Sequence, residues 1–261
     1  MVKKPDQDTG KKAEDLKERA LRYHAFYCGK IQVALKCPVR SLSDFAIWYT
    51  PGVAAVSEAI KQDAEAVFTY TNRGNTIAVV SDGTRVLGLG DIGPLGALPV
   101  MEGKALLFKY LGGVDAVPIV LNTKDQEEIV RILKILEPSF GGINLEDIES
   151  PKCFYLLDKL RETLEIPVWH DDQQGTATVT VAGLMNALKI VNKKMNEVVI
   201  ALIGAGAANI AIARLLVKAG ADPKKMRVVD SKGILHPARE DIEKLKKTNP
   251  WKYNLAMTTN K

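Results

Sequence analysis

The sequence predicts an α/β fold built in two successive parts, and three stretches carry that reading. Between Gly141 and His170, two short apolar runs, Gly141 to Leu145 and Ile166 to His170, flank a segment with helical spacing: Phe154, Leu156, Leu157, Leu160 and Leu164. Strand, helix, strand is the economical interpretation. It sets two acidic pairs, Glu146–Asp147 and Asp171–Asp172, at the carboxyl ends of neighbouring strands. Further on, Glu197 to Ile203 forms an apolar, β-branched strand that runs into Gly204-Ala205-Gly206-Ala207-Ala208-Asn209 and a helical stretch from about Ala208 to Ala219. A second strand, Met226 to Val229, ends in Asp230.

Composition narrows the possibilities. The 261 residues are 46% hydrophobic and 26% charged, enough for one large or two modest cores. No apolar run approaches the roughly 18 residues a membrane span needs. The polar N-terminus, MVKKPDQDTGKK, lacks the apolar middle of a signal peptide. Cys28, Cys37 and Cys153 are not spaced for metal and read as reduced thiols of a cytoplasmic protein. Net charge is +5, but the basic residues are scattered among acidic ones, with no basic stripe interleaved with aromatics, so nucleic acid is not an expected partner.

Taken in order, residues 1–10 are expected to be disordered. An amphipathic helix follows from Lys11 to about Tyr27, with Leu16, Ala20, Tyr23 and Tyr27 on one face, packed across a subunit interface or on its own domain. Ser41 to Asp44 is a turn. A helix is expected to open at Pro51, capped by Thr50, and run to Ile60, which places Tyr49 just before a helix start. Thr76 to Val80 reads as a strand, Asp82-Gly83 as a turn, and Arg85 to Leu89 as the returning strand. Gly88, Gly90, Gly93 and Gly96 then make a loop whose backbone can approach a ligand closely. The next helix carries Lys104 in its first turns, flanked by Gly103 and apolar Ala105-Leu106-Leu107. Asp115 to Leu121 is a strand and Asp125 to Leu136 an amphipathic helix. After the acidic stretch, Gly175-Thr176 opens a helix through Lys189, so Asp171 and Asp172 precede a helix N-terminus, where carboxylates and anions are favoured. A last helix is expected from about Arg239 to Lys247.

Carboxylates gathered on one sheet edge repel unless a cation or proton sits between them, and all-oxygen donors suit Mg²⁺ or Mn²⁺. The plain alternative is that both pairs are solvated loop and cap residues. A lysine drawn towards an apolar pocket has its pKa lowered and becomes a candidate base; a surface lysine that snorkels is the alternative for Lys104. Strand, glycine turn, helix, strand and terminal acid form the dinucleotide pattern, with Gly204, Ala205, Gly206, Ala207, Ala208 and Asn209 at the phosphates. Asn209 stands where a third glycine would allow close helix–strand packing. Asp230 would take the ribose hydroxyls of NAD, whereas Ser231 and Lys232 would hold the extra phosphate of NADP.

Together these motifs resemble the malic enzymes, in particular the smaller bacterial and archaeal type. The residues that carry the resemblance are YTPGVA (49–54), SDGTRVLGLGDIG (81–93), PVMEGKALLFK (99–109), NLEDI (144–148), PVWHDDQQGTA (167–177) and GAGAAN (204–209). The resemblance implies a tail and helix in residues 1–22, a substrate and metal domain in 23–174, and a Rossmann-like nucleotide domain from 175 to 261. It implies oxidation and decarboxylation of L-malate to pyruvate with NAD or NADP and Mg²⁺ or Mn²⁺. Glu146, Asp147 and Asp172 would be the metal ligands, Lys104 the general base helped by Asp171, Tyr49 the general acid, and Arg85 the clamp on a substrate carboxylate. A homo-oligomer, dimer or higher, is expected.

Two departures bear on that reading. Gln174 stands where the family more often has His. The family's nucleotide domain also continues beyond the point where this chain stops, so the second part is expected to be incomplete and the chain alone not competent. The alternatives are a malolactic-type enzyme that releases lactate, and a non-catalytic assembly or regulatory subunit that keeps the fold.

Overall fold

The computed structural model describes residues 7–260, with side chains from Asp15 onward. Residues 1–6, part of the stretch expected to be disordered, lie outside the described residues. Gln7 to Gly10 do not follow that expectation, because they open the first helix, α1 (Gln7–Tyr27). Its expected apolar face, Leu16, Ala20, Tyr23 and Tyr27, is exposed. Three short helices follow: α2 (Phe45–Trp48), α3 (Val53–Gln62) and α4 (Val67–Tyr70). The expected start at Pro51 under a Thr50 cap is not what forms. The Gly52 amide bonds to the Ala46 carbonyl and closes α2, and α3 begins at Val53 without a side-chain cap. A Cβ on Gly52 would sit 2.6 Å from that carbonyl oxygen, which is why glycine stands there.

The first sheet is wholly parallel, in the order β2-β1-β3-β4, from β1 (Thr76–Ser81), β2 (Asp115–Val120), β3 (Gly142–Leu145) and β4 (Val168–His170). The returning strand expected at Arg85 to Leu89 does not form, because both edges of β1 are already taken by β2 and β3. Residues 82–92 form a loop instead. Parallel strands need crossover helices. These are α5 (Gly93–Gly112), α6 (Gln126–Leu136) and α7 (Lys152–Thr163). The Asp125 carboxylate caps α6 by accepting from the Glu128 amide at 2.7 Å, and left-handed Gly113 ends α5.

Side chains alternate along β1. Ala78 and Val80 join Ile143, Leu145 and the inner residues of α6 and α7, such as Ile129, Leu133 and Phe154, in one core. Val79 is buried on the other side, where α5 covers β1 and β2 with Ala97, Met101 and Ala105. The central strands β1 and β3 are thus buried on both faces, as their near-continuous apolar runs require, while β2 at the edge is only partly covered.

The chain then continues through α8 (Thr176–Ile190) to a second sheet, order β5-β6-β7. β5 (Ile200–Ile203) and β6 (Met226–Asp230) are parallel and joined by α9 (Ala207–Lys218); β7 (Gly233–Ile234) returns antiparallel. The final helix expected from Arg239 begins only at Ile242, as α10 (Ile242–Thr248), since Arg239 is drawn into ion pairs with Asp230 and Asp241. A further helix, α11 (Pro250–Thr258), packs back on the first part: Trp251 stacks on Phe154 at 5.2 Å and its indole N–H donates to Asp158 at 3.0 Å. Among the described residues no helix is long and apolar enough to cross a membrane.

Candidate active site

The loops leaving β1, β3 and β4, together with α5, converge at the carboxyl edge of the first sheet. Glu146 follows β3 directly and is buried. Burial pushes its carboxyl up to about 7, against the pull of Lys104 and of Asn144, whose side-chain amide donates to Oε2 at 2.9 Å. Asp147 adopts a left-handed backbone with φ of 54°, a strained conformation for a residue with a side chain. That turn brings its amide to Asp172 Oδ2 at 3.3 Å and its carbonyl to the Arg85 amide at 3.0 Å. Burial and the charge of Asp172 raise the Asp147 carboxyl to about 6. Asp172 is raised as well, chiefly by burial.

Glu146, Asp147 and Asp172 each offer one carboxylate oxygen, and these oxygens lie within 4.8 Å of one another. Three like charges so close and so poorly solvated favour taking up protons or a cation. All-oxygen donors of this charge fit a hard divalent ion such as Mg²⁺ or Mn²⁺.

Lys104 lies midway along α5 rather than in its first turns. Its ammonium is 2.8 Å from Asp171 Oδ2 and 3.1 Å from Glu146 Oε1. The expected lowering of its pKa is therefore reversed. Desolvation does act downward, but the Asp171 and Glu146 carboxylates outweigh it and the net shift is upward. Asp171 shows the converse: burial works against its charge, and Lys104 nonetheless holds the carboxyl below its usual range. Asp171 and Asp172 form the first turn of a widened helical segment, Asp171–Gly175, that leads into α8. The Asp171 carboxylate folds back on this turn. A Cβ on Gly175 would lie 2.3 Å from its Oδ1, so the glycine of DDQQG makes room for the acid.

Arg85 is exposed, and among the described residues its guanidinium makes no hydrogen bond or ion pair. Its charge nevertheless reaches Asp172 and draws that carboxyl downward. Tyr49 is not brought to the cluster: it is 70% exposed and its hydroxyl bonds to none of these residues.

At the second sheet, Gly204 has φ of 100°, and Gly206 caps α9. Asn209 compensates for the missing third glycine in its own way. Its side-chain amide donates to the carbonyls of Ile203 and Gly204, at 2.8 and 3.1 Å, and so ties helix to turn. Gly204, Ala205, Gly206, Ala207 and Ala208 therefore present a glycine turn at a helix N-terminus, which suits a pyrophosphate. Asp230 ends β6 as expected, but Arg239 and Lys252 each approach its carboxylate at 3.0 Å.

Three contributors escaped the sequence reading. Asn144 stands two residues before Glu146, so the period of a strand already put both side chains on one face. The Trp169 indole N–H donates to Asp171 Oδ1 at 3.4 Å. Lys152 reaches the fully buried Asp82 at 2.5 Å and braces the loop after β1 against the loop after β3. The last had no signal, since 70 positions separate the two residues.

Comparison with known proteins bears on the family of the chain. The family profile described as malic enzyme, N-terminal domain, matches residues 29–130, and that described as malic enzyme, NAD binding domain, matches residues 173–258. A Geobacillus stearothermophilus protein named NAD-dependent malic enzyme is 52% identical over 89% of this chain and 47% of its own length. A Bacillus subtilis protein named bifunctional malic/malolactic enzyme is 51% identical over 86% of this chain and 54% of its own. The crystal structure of Entamoeba histolytica malic enzyme superposes with a TM-score of 0.90 at 48% identity, over 100% of this chain and 55% of that one. The chain thus spans about half the length of the curated relatives named here. With both profiles matched in order along one chain, and the same fold at this identity, the chain belongs to the malic enzyme family.

Proposed function

We propose that the protein takes part in the metal-dependent oxidative decarboxylation of L-malate to pyruvate and CO₂, with reduction of NAD or NADP. One observation carries the reading: the Lys104 ammonium lies between Asp171 and Glu146, beside three carboxylate oxygens that converge at the sheet edge. A base and an ion site share one wall, as oxidation of a hydroxyl followed by loss of a carboxyl group requires. Residues 23–174 would form the substrate and metal domain, and residues from 175 onward the nucleotide domain. A cytoplasmic homo-oligomer that does not bind nucleic acid completes the proposal.

Glu146, Asp147 and Asp172 would hold Mg²⁺ or Mn²⁺, which when bound polarises the substrate's C2 oxygen and stabilises negative charge that develops during decarboxylation. Arg85, unpaired among the described residues, would take a malate carboxylate through its planar guanidinium. Lys104 would remove the C2 hydroxyl proton and can pass it to Asp171 along a 2.8 Å contact. Tyr49 would return a proton to C3 after CO₂ leaves. The turn from Gly204 to Asn209 would cradle the nucleotide pyrophosphate, with Asp230 beside the adenosine ribose.

The Bacillus subtilis relative's name supports a second reading, in which lactate is released. Incubation of the protein with L-malate, Mn²⁺ and each nucleotide, with pyruvate, lactate and reduced nucleotide quantified, separates the two. Pyruvate in step with reduced nucleotide supports the proposal. Lactate without net reduction selects the malolactic reading. Absence of both products at saturating Mn²⁺ agrees with the expectation that residues 1–261 alone are not competent, and the metal titrations then test the site by themselves.

A further inference from the structure

We propose that the cleft between α7, α9 and the turn after β4 binds a small phosphorylated metabolite, at a site distinct from the glycine turn that would hold the nucleotide. The site stands on its own lining whether or not malate is the substrate; only its link to the Lys104–Asp171 pair rests on the functional reading.

The first observation is a cleft lined by more cations than it pairs. It encloses about 170 Å³ where the first part of the chain meets the second. Arg161, in the last turn of α7, lines it together with Arg214 and Lys218 of α9. The acid in its lining, Asp158, is already engaged: one oxygen accepts from the Trp251 indole at 3.0 Å, and the other lies 3.9 Å from Arg214. Arg161 uses only its Nε, which donates to the Val168 carbonyl at 3.0 Å. That bond anchors the guanidinium and leaves its terminal nitrogens without a partner among the described residues. Lys218 likewise has no ion pair among the described residues. Cations at helix C-termini also answer the helix dipole, but that effect acts on each helix separately and does not bring cations of two helices to one cleft.

The second observation is the rest of the wall. Trp169 lines the cleft and is 38% exposed, so part of its indole is open to a ligand. The Gln173 side chain beside it is buried and held, its amide donating to the Cys153 carbonyl at 3.1 Å. An aromatic surface beside three cations suits an organic group that carries concentrated negative charge. A phosphate monoester puts up to two charges and three acceptor oxygens on one centre, which two guanidinium forks and an ammonium can share. A carboxylate brings one charge and two oxygens, and would leave a cation unmet. The volume lies below the roughly 300–1,000 Å³ of a drug-sized pocket, so the ligand is small. The cleft is also not the glycine turn. From Ala207, where α9 begins, to Arg214 the helix rises about 10 Å.

Trp169 ties the cleft to the candidate active site. Its indole N–H donates to Asp171 Oδ1 at 3.4 Å, while Asp171 Oδ2 meets Lys104 at 2.8 Å. An anion against the indole therefore reaches the proposed base through two contacts.

Calorimetry in metal-free buffer tests the site without turnover. The probes are glycerol 3-phosphate, inorganic phosphate and malonate at equal ionic strength. Wild type is compared with a variant carrying both Arg214→Gln and Lys218→Gln, at two exposed positions of α9. Glycerol 3-phosphate is expected to bind with Kd below about 1 mM, inorganic phosphate more weakly and malonate more weakly still. The double variant should lose at least about tenfold in affinity for glycerol 3-phosphate. Equal binding by wild type and variant overturns the proposal, because the phosphate then sits elsewhere, as on the glycine turn. No binding by any probe overturns it too, and malonate as tight as glycerol 3-phosphate overturns the assignment to phosphate. Tryptophan emission tests the link to Asp171. It should shift on titration of wild type, and the shift should vanish in Trp169→Phe, which retains Trp48 and Trp251. No shift, or one that persists in Trp169→Phe, overturns the link.

Discussion

The Lys104 ammonium lies 3.1 Å from the Glu146 carboxylate, which puts the proposed base in direct contact with a proposed metal ligand. The two groups answer each other. Burial alone would neutralise both, Glu146 by taking a proton and Lys104 by losing one. The contact opposes that tendency in each. An ion placed on Glu146 would compete for the same charge and release the lysine from it. A lysine that is charged in the resting site would thereby gain the character of a base when metal and substrate are present.

In a form of the protein that turns over malate, Lys104→Ala should therefore abolish malate oxidation while sparing metal binding, since the three proposed ligand oxygens belong to other loops. Single-turnover rates and Mn²⁺ titrations on the same variant check both halves. A rate loss smaller than about tenfold, roughly 1.4 kcal/mol of transition-state stabilisation, would remove Lys104 as the base.

Asp172→Ala should lose the divalent ion. It takes away one of three proposed ligands and also the acceptor for the Asp147 amide, so the strained turn at Asp147 loses a contact. Calorimetry with Mn²⁺ is the measurement, and affinity equal to wild type would refute the ligand assignment.

The acids also predict a pH dependence for the metal-free chain. Glu146 is raised from 4.5 to about 7 and Asp147 from 3.8 to about 6. Between the ordinary and raised values, the folded chain holds protons that the unfolded chain releases, so their contribution to stability falls as pH rises. His170 runs the other way. Burial lowers it from 6.5 to about 4, so its contribution grows with pH across that interval. Two carboxyls outweigh one imidazole below pH 6, and above 6.5 Glu146 acts alone. Glu146→Gln should consequently gain on wild type in thermal midpoint between about pH 5 and about pH 8, and Mn²⁺ should narrow that gap by stabilising wild type through binding. A gap that shrinks with pH in metal-free buffer would contradict the burial argument.

Much of this was legible in the residues because it is local. Strand, helix and strand around 142–170 show in apolar spacing, and the glycine turn before α9 shows in composition. The failures are also physical. Asp82-Gly83 has the chemistry of a hairpin turn, yet β2 and β3 already flank β1, so tertiary pairing overrode the local signal. Lys104 was expected to lose its charge because its sequence neighbours are apolar, and only the fold brings Asp171 and Glu146 to it. Tyr49 does precede a helix, its carbonyl accepting from the Val53 amide that opens α3, but it also ends α2 and is exposed, so its position before a helix does not bring it to the acidic cluster.

The Lys152–Asp82 pair should prove costly to break. Asp82 is fully buried, and its other oxygen accepts from the Thr84 hydroxyl and amide at 2.6 and 3.1 Å, so the network holds the loop that carries Arg85. Lys152→Ala strands a buried carboxylate, at a cost of about 3–5 kcal/mol. Lys152→Arg should recover most of that. Urea unfolding of both variants is the check, and a loss below about 1 kcal/mol, the worth of an ordinary surface pair, would show that the brace is not structural.

Asp230 leads to a prediction about nucleotide choice. A free acid at this position accepts the ribose hydroxyls of NAD and repels the 2′-phosphate of NADP. Here burial works against the charge, but the Lys232 amide, the Lys252 ammonium and the Arg239 guanidinium hold the carboxyl below its usual range. The acid is thus occupied, and its two cations are turned inward to meet it. Replacing it by Asp230→Ala would remove the carboxylate that Lys252 meets and leave Arg239 paired with Asp241 alone, beside the proposed ribose pocket. The phosphate that Asp230 repelled would then be attracted. Calorimetry can compare 2′,5′-ADP with ADP, both of which report on the adenosine side alone. The variant should shift the ratio of the two affinities towards 2′,5′-ADP by about tenfold, or roughly 1.4 kcal/mol, and the shift should shrink as salt rises. An unchanged ratio would mean that the Asp230 network only braces β6 against α11 and that selectivity lies elsewhere.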